Sequence, residues 1–244
     1  MPAKRFYPVL KVALIAGLAA GLVMGLFHFF FTEVVMDRAI ALEGCACHDN
    51  AVPLVSRSFQ KGMLVVGSAL YGLIVGVIFA LAFAVSERYL PGRRSDVKAV
   101  ALTGLLWWSV AFLPFLKYPA NPPGVGDPDT IYLRQSIQFG FIGLSALVVV
   151  AAGAIYWLLD RLGRESWLRR WRLGLAIGLY GILAILLFIL MPSSSSPVSI
   201  AADLIWDFRI LSLSGQVLFW ITLGTISFFL LRRFTRQEVL GTTG

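Results

Sequence analysis

Trp171–Leu190 reads W-R-L-G-L-A-I-G-L-Y-G-I-L-A-I-L-L-F-I-L, and its one charged side chain, Arg172, stands at the very start. About 20 apolar residues in a helix cross the roughly 30 Å hydrocarbon layer of a bilayer, because each residue advances about 1.5 Å. In lipid the backbone must satisfy its own hydrogen bonds, so such a run reads as a transmembrane helix. Five more stretches share this character, which places spans near 9–31, 62–86, 98–116, 135–159, 172–191 and 210–231. The third is cut short by Pro114 and Lys117. The expected fold class is all-α: a polytopic membrane helical bundle of six transmembrane helices, forming a single integral membrane domain over 1–244.

Composition agrees. The chain is 58% hydrophobic and 14% charged, with a mean hydropathy of +0.81. A soluble domain carries nearer a quarter charged residues, so the partner this surface needs is the lipid bilayer. The net charge of +8 would suggest nucleic acid in a soluble protein. Here the positive-inside rule accounts for it, and no nucleic-acid partner is expected. One set of helix ends holds Lys4, Arg5, Lys11, Arg88, Arg93, Arg94, Lys98, Arg161, Arg164, Arg169, Arg170, Arg172, Arg232, Arg233 and Arg236. The opposite ends hold only Arg38, Arg57, Lys61, Lys117, Arg134 and Arg209. Both termini are therefore expected in the cytoplasm. The first segment is read as a retained helix, since F-H-F-F-F-T-E (27–33) offers no small-residue cleavage site.

The outer connections carry the chemistry. Met24–Lys61 leaves the first span near Thr32 and holds both histidines and both cysteines of the chain. His28, Glu33, Asp37, Glu43, Cys45, Cys47 and His48 form a descending series of candidate metal ligands, with Met24 one helical turn from His28. Imidazole with thiolate suits Co, Ni, Zn or Cu better than Mg or Ca. His28 could equally be an interfacial polar side chain. Cys45 and Cys47 could equally be an oxidised pair, since one intervening residue fits neither the usual redox nor the haem-attachment spacing.

The loop Leu116–Gln135 is rich in proline and glycine and reads as a stiff turn system. Met191–Arg209 is expected to end in a short interfacial segment carrying Trp206 and Phe208. Arg57 with Gln60, Arg134 with Gln138 and Arg209 with Gln216 open three helices in a similar way. They suggest three hairpins of one plan, or basic residues snorkelling independently. Glycines four apart (Gly17, Gly21, Gly25; Gly72, Gly76; Gly174, Gly178) mark close-packing faces whose partner helices the sequence leaves open. There is no Walker A motif, so the chain is not expected to hydrolyse nucleotide, and no Asp or Glu lies deep in a span.

H-F-F-F-T-E-V-V-M-D-R-A-I-A-L-E (28–43), V-S-R-S-F-Q-K-G (55–62), K-Y-P-A-N-P-P-G-V-G-D-P-D-T-I-Y-L-R-Q (117–135) and A-D-L-I-W-D-F-R (202–209) together resemble the CbtA family, a predicted cobalt transporter subunit of bacteria. The resemblance spans nearly the whole chain. It implies a multi-pass protein of the bacterial inner (plasma) membrane linked to cobalamin synthesis, working with a small single-helix, His-rich subunit, CbtB-like. Carried over onto this sequence, the shared pattern falls on His28, Glu33, Arg38, Glu43, Arg57, Gln60, Pro122, Pro123, Gly126, Asp127, Arg134, Gln135, Asp207 and Arg209. Cys45, Cys47 and His48 look like a local feature.

The function expected is a transition-metal transporter subunit, Co2+ foremost, with an outward-facing metal entry site at the end of the first helix. No resident cofactor and no enzymatic activity are expected. Arg134 and Arg209, with the proline-rich loop, are expected to hold structure or gate the outer mouth. One alternative is the substrate-binding membrane component of a vitamin or metal uptake complex, energised by a separate ATPase module. Another is a thiol oxidoreductase at the outer face, which lacks a second dithiol to relay electrons.

Overall fold

The computed structural model describes residues 3–46, 55–123, 125–162, 166–193 and 201–241. The described residues are 88% helical and include no strand. Among the described residues, six helical stretches are long and apolar enough to cross a membrane: Phe6–Leu42, Arg57–Ser86, Ser95–Lys117, Ile131–Arg161, Arg170–Leu190 and Ala202–Phe234. In chain order the α-helices are α1 (Ala3–Phe27), α2 (Glu33–Ala46), α3 (Arg57–Ser86), α4 (Ser95–Leu106), α5 (Leu113–Lys117), α6 (Ile131–Leu162), α7 (Ser166–Leu190) and α8 (Ala202–Gly241). Widened π turns join α1 to α2 (His28–Thr32) and α4 to α5 (Trp107–Phe112).

Several boundaries differ from the sequence reading, and the differences have a common cause. The first helix does not end at Thr32 but continues through the π turn to Ala46. The second helix opens at Arg57, as its Arg57–Gln60 pattern suggested, five residues before the apolar span expected from 62; the Ser56 hydroxyl caps it by accepting from the Phe59 N–H at 3.4 Å. Trp206 and Phe208 belong to the long final helix from Ala202, not to a separate interfacial segment. Apolar runs mark the lipid layer, whereas helical hydrogen bonding carries on past it wherever polar side chains find partners. The third span ends at Lys117, close to the expected 116, and so runs past Pro114. The π turn before it carries the helix on, with the Leu113 N–H donating to the Trp108 carbonyl five residues back.

The chain divides into two compact units. The first comprises Met1–Gly104, Ala120–Val125 and Val198–Gly244. Its centre is α1, packed along both α3 and α8. Gly17 and Gly21 lie directly against the backbone of α3 at Gly72 and Ser68, and Gly76 lies against Ala13. The small faces read from the sequence are thus partners of one another, on antiparallel helices. Without side chains to hold them apart, two backbones approach closely enough for dispersion to drive association in lipid. The α3–α4 connection turns at Gly92, whose φ of 106° is accessible to glycine at little cost.

The second unit comprises Leu105–Pro119 and Gly126–Pro197. Leu113, Phe141, Ala184 and Leu187 form its buried centre, with Phe141 edge-on to both Tyr118 and Phe188. Three polar bonds fasten the first of its segments to α7. The Trp108 Nε1–H donates to the Tyr180 hydroxyl at 2.5 Å, Lys117 Nζ to the Phe188 carbonyl at 2.8 Å, and the Tyr118 hydroxyl to the Pro192 carbonyl at 2.6 Å. The Lys117 bond satisfies a carbonyl that the end of α7 leaves open, and the Tyr118 bond holds the chain two residues beyond it. At the other end of α7, Arg172 pairs with Asp160 and lies over the Tyr156 ring. Gly174 and Gly178 have no helix against them among the described residues.

Candidate functional site

His28 opens the π turn, and the Glu33 N–H that closes it donates to the His28 carbonyl. A π turn inserts an extra residue and rotates all that follows by roughly 100°; such turns recur at functional sites. Before it, α1 presents Met24, buried, one turn below His28. The imidazole Nδ1 lies 2.8 Å from Thr32 Oγ1, and its opposite edge lies against the backbone of Gly215 on α8. That contact is so close that a Cβ at position 215 would collide with the ring. Nearby on α8, Gln216 is placed to hydrogen-bond the Tyr71 hydroxyl, and the Tyr71 ring packs on Phe219 at 5.4 Å.

Beyond the π turn, α2 presents Glu33 and Asp37 one turn apart towards Arg57 and Lys61, one turn apart on α3. Arg57 Nε donates to Asp37 Oδ1 at 2.9 Å, and its Nη2 pairs with Glu33 Oε2. Lys61 Nζ pairs with the other Asp37 oxygen at 2.5 Å. Gln60 steadies the fork, accepting from Arg57 Nη1 at 3.1 Å while its own amide donates to the Val55 carbonyl. The Glu33 side chain is only 10% exposed, so removing Arg57 would leave it nearly buried without a cation beside it. On another side of α2, Val35 and Ala39 pack against Leu204 and Phe208 of α8, with Met36 at the edge.

A family model described as "Probable cobalt transporter subunit (CbtA)" matches residues 6–232. The chain belongs to the CbtA family. The family is a transporter subunit, not an enzyme. No curated protein and no solved structure matches the chain.

In this CbtA chain the candidate ligands are distributed as follows. His28 is held by Thr32, while Glu33 and Asp37 are engaged by Arg57 and Lys61. Glu43 and Cys45 belong to the last turns of α2, and Cys47 and His48 lie outside the described residues. Among the described residues no three His, Cys, Asp or Glu side chains converge as a metal-holding group. Arg38, Gln135 and Asp207 are exposed, and Pro122 is buried.

The three arginines that suggested a repeat do different work. Arg57 joins the carboxylates, and Arg209 donates twice to Asn121 Oδ1, at 2.7 and 3.2 Å, tying the proline-rich loop beside Pro122 and Pro123 to α8. Arg134 lies over Gly126 and donates to the Asp127 carbonyl at 3.1 Å. Gly126 has a φ of 96°, and a Cβ there would run into the guanidinium. Asp127 stiffens the same turn, its Oδ1 accepting from the Asp129 N–H at 3.0 Å. Three residues central to this geometry escaped the sequence reading as site residues. Thr32 carries a readable signal, four residues after His28. Gly215 and Asn121 carry none, because their importance lies in what another segment brings to them.

Proposed function

We propose that this CbtA chain passes Co2+ across the bacterial inner membrane, with His28 as the ligand at membrane depth. The observation that carries this reading is the seat of His28. An imidazole stands on a widened helical turn within a membrane-spanning helix, one turn from a buried thioether, Met24. Polar side chains in such helices are costly and gather where ions or substrates pass. Imidazole nitrogen is a good donor for Co2+ and a poor one for Mg2+ or Ca2+.

In this reading both termini are cytoplasmic and α2 faces the outside, since the basic residues collect at the opposite helix ends. Glu43, Cys45, Cys47 and His48 then gather the ion first. Glu33 and Asp37, balanced by Arg57 and Lys61, form the neutral lip above His28. Arg38, Gln60, Pro122, Pro123, Asp207 and Arg209 shape or gate the outer end of the first unit, and Gly126, Asp127, Arg134 and Gln135 that of the second. A small His-rich subunit, CbtB-like, completes the path, and the cobalt supplies cobalamin synthesis. The test is cobalt accumulation in cells expressing this chain alone, with its genomic neighbours, or as His28→Ala. Accumulation that needs His28 supports the reading, and accumulation indifferent to both the chain and His28 contradicts it.

A further inference from the structure

A helix hydroxyl in a membrane interior ordinarily donates to the carbonyl four residues back, since lipid offers no other acceptor. Thr103 does so to Ala99 and Thr222 to Leu218, each at 2.8 Å. Ser227 is fully buried, yet its hydroxyl has no partner among the described residues. Nor has the indole N–H of Trp220, seven residues earlier and 4% exposed. Both stand on the face of α8 that meets α4. Gly224 lies between them on that face, and a Cβ there would come within 3.1 Å of the Thr103 side chain. We propose that this seam between α8 and α4 is a hydrated passage, in which water pairs the Trp220 N–H and the Ser227 hydroxyl. The proposal deepens the Co2+ reading above by giving the ion a route away from His28, and it rests on that reading for the cargo alone.

An unpaired N–H or hydroxyl is costly in surroundings that cannot hydrogen-bond, and buried water is the usual way such groups are satisfied. Trp220 and Ser227 are two turns apart, about 10 Å along the axis, so no single water reaches both. Between them, Thr103 Oγ1 donates to Ala99 and keeps its lone pairs free to accept. The polar row continues both ways. One turn before Trp220, Gln216 is placed to hydrogen-bond the Tyr71 hydroxyl, next to the Gly215 backbone against which His28 lies. Two turns before Thr103, on the same face of α4, Asp96 is buried beneath Arg94, whose Nε donates to Oδ1 at 3.1 Å. α3 begins beside α2, α4 begins beyond the far end of α3, and α8 leads away from His28. The row therefore runs from the level of His28 towards a carboxylate at the other end of the unit.

The test is thiol accessibility in the full-length protein, in membrane vesicles of both orientations, with Cys45→Ser/Cys47→Ser as the background. Ser227→Cys only exchanges oxygen for sulfur. Phe229→Cys is the lipid-facing control: it lies on the opposite, exposed face of α8 and nearer the end of that helix. A thiol reacts as its thiolate, which apolar surroundings suppress, so a small cationic methanethiosulfonate should modify Ser227→Cys about tenfold or more faster than Phe229→Cys. Thr103→Cys, from the other wall of the seam, should follow Ser227→Cys. Rates at both seam positions no higher than at Phe229→Cys overturn the passage. Co2+ uptake by the same vesicles, carrying the products of the genomic neighbours, should be lost when Ser227→Cys is modified. Modification that leaves Co2+ uptake unchanged has a different meaning. It overturns the Co2+ reading for this seam while leaving the hydrated passage in place.

Discussion

Gly17 of α1 and Gly72 of α3 face each other so closely that a Cβ on either would strike the backbone carbonyl of the other. Backbone cannot swing aside as a side chain can. Gly72→Ala should therefore destabilise the protein by about 1–3 kcal/mol, the usual cost of overpacking, and Gly72→Leu by more. Gly67, on the same helix, has open space where its Cβ would be, so Gly67→Ala should be near neutral. Thermal unfolding midpoints in one detergent check the contrast. Equal shifts at both positions would refute close packing at Gly72.

Arg57 and Lys61 should not be equivalent. Arg57 bridges both carboxylates, including the nearly buried Glu33, whereas Lys61 meets only Asp37, whose side chain is 42% exposed. Arg57→Gln leaves Glu33 without its cation and should cost about 2–3 kcal/mol, below the full penalty for a deeply buried pair because Arg57 is 34% exposed. Lys61→Gln should cost about 1 kcal/mol or less. The double variant Glu33→Gln/Arg57→Gln should recover part of the loss. Unfolding midpoints of the three variants provide the comparison, and a Lys61 effect larger than that of Arg57 would contradict the assignment.

The bonds from Arg209 to Asn121 are the described hold of α8 on the loop before Pro122. Arg209→Ala and Asn121→Ala should each loosen it by about 1 kcal/mol, and the double variant should do no more than either alone. Hydrogen exchange over residues 118–123 reads this directly. Additive effects would mean that the two side chains act separately.

Sidedness follows from charge alone and is open to a direct probe. A membrane-impermeant thiol reagent applied to intact cells should modify Cys45 or Cys47. It should not reach a cysteine introduced as Arg170→Cys in a Cys45→Ser/Cys47→Ser background. The reverse pattern would invert the protein and place His28 near the cytoplasm.

The six spans were legible because each apolar run is long enough to cross lipid and no soluble fold tolerates so many. The ends were not, because hydropathy reports where lipid stops and not where helical bonding stops. Glu33–Ala46 reads as a polar exit, yet α2 continues since Arg57 and Lys61 neutralise its carboxylates from α3. Those pairs join residues 20 and 24 positions apart, and nothing in either segment names the other. The glycine faces were visible as faces; only folding shows that Gly17 meets Gly72 while Gly178 meets nothing among the described residues. His28 was readable as a candidate, and its π turn was not, because one extra residue in a helical turn leaves no mark on an apolar pattern.

Equilibrium binding of Co2+ to the purified protein, wild type against His28→Ala, bears most directly on the account. Loss of a principal ligand should weaken binding by tenfold or more, while Cys45→Ser/Cys47→Ser, if these residues only gather the ion, should leave the His28-dependent site in place. Wild-type affinity retained in His28→Ala would remove His28 from the path of the metal and with it the function proposed for this helix.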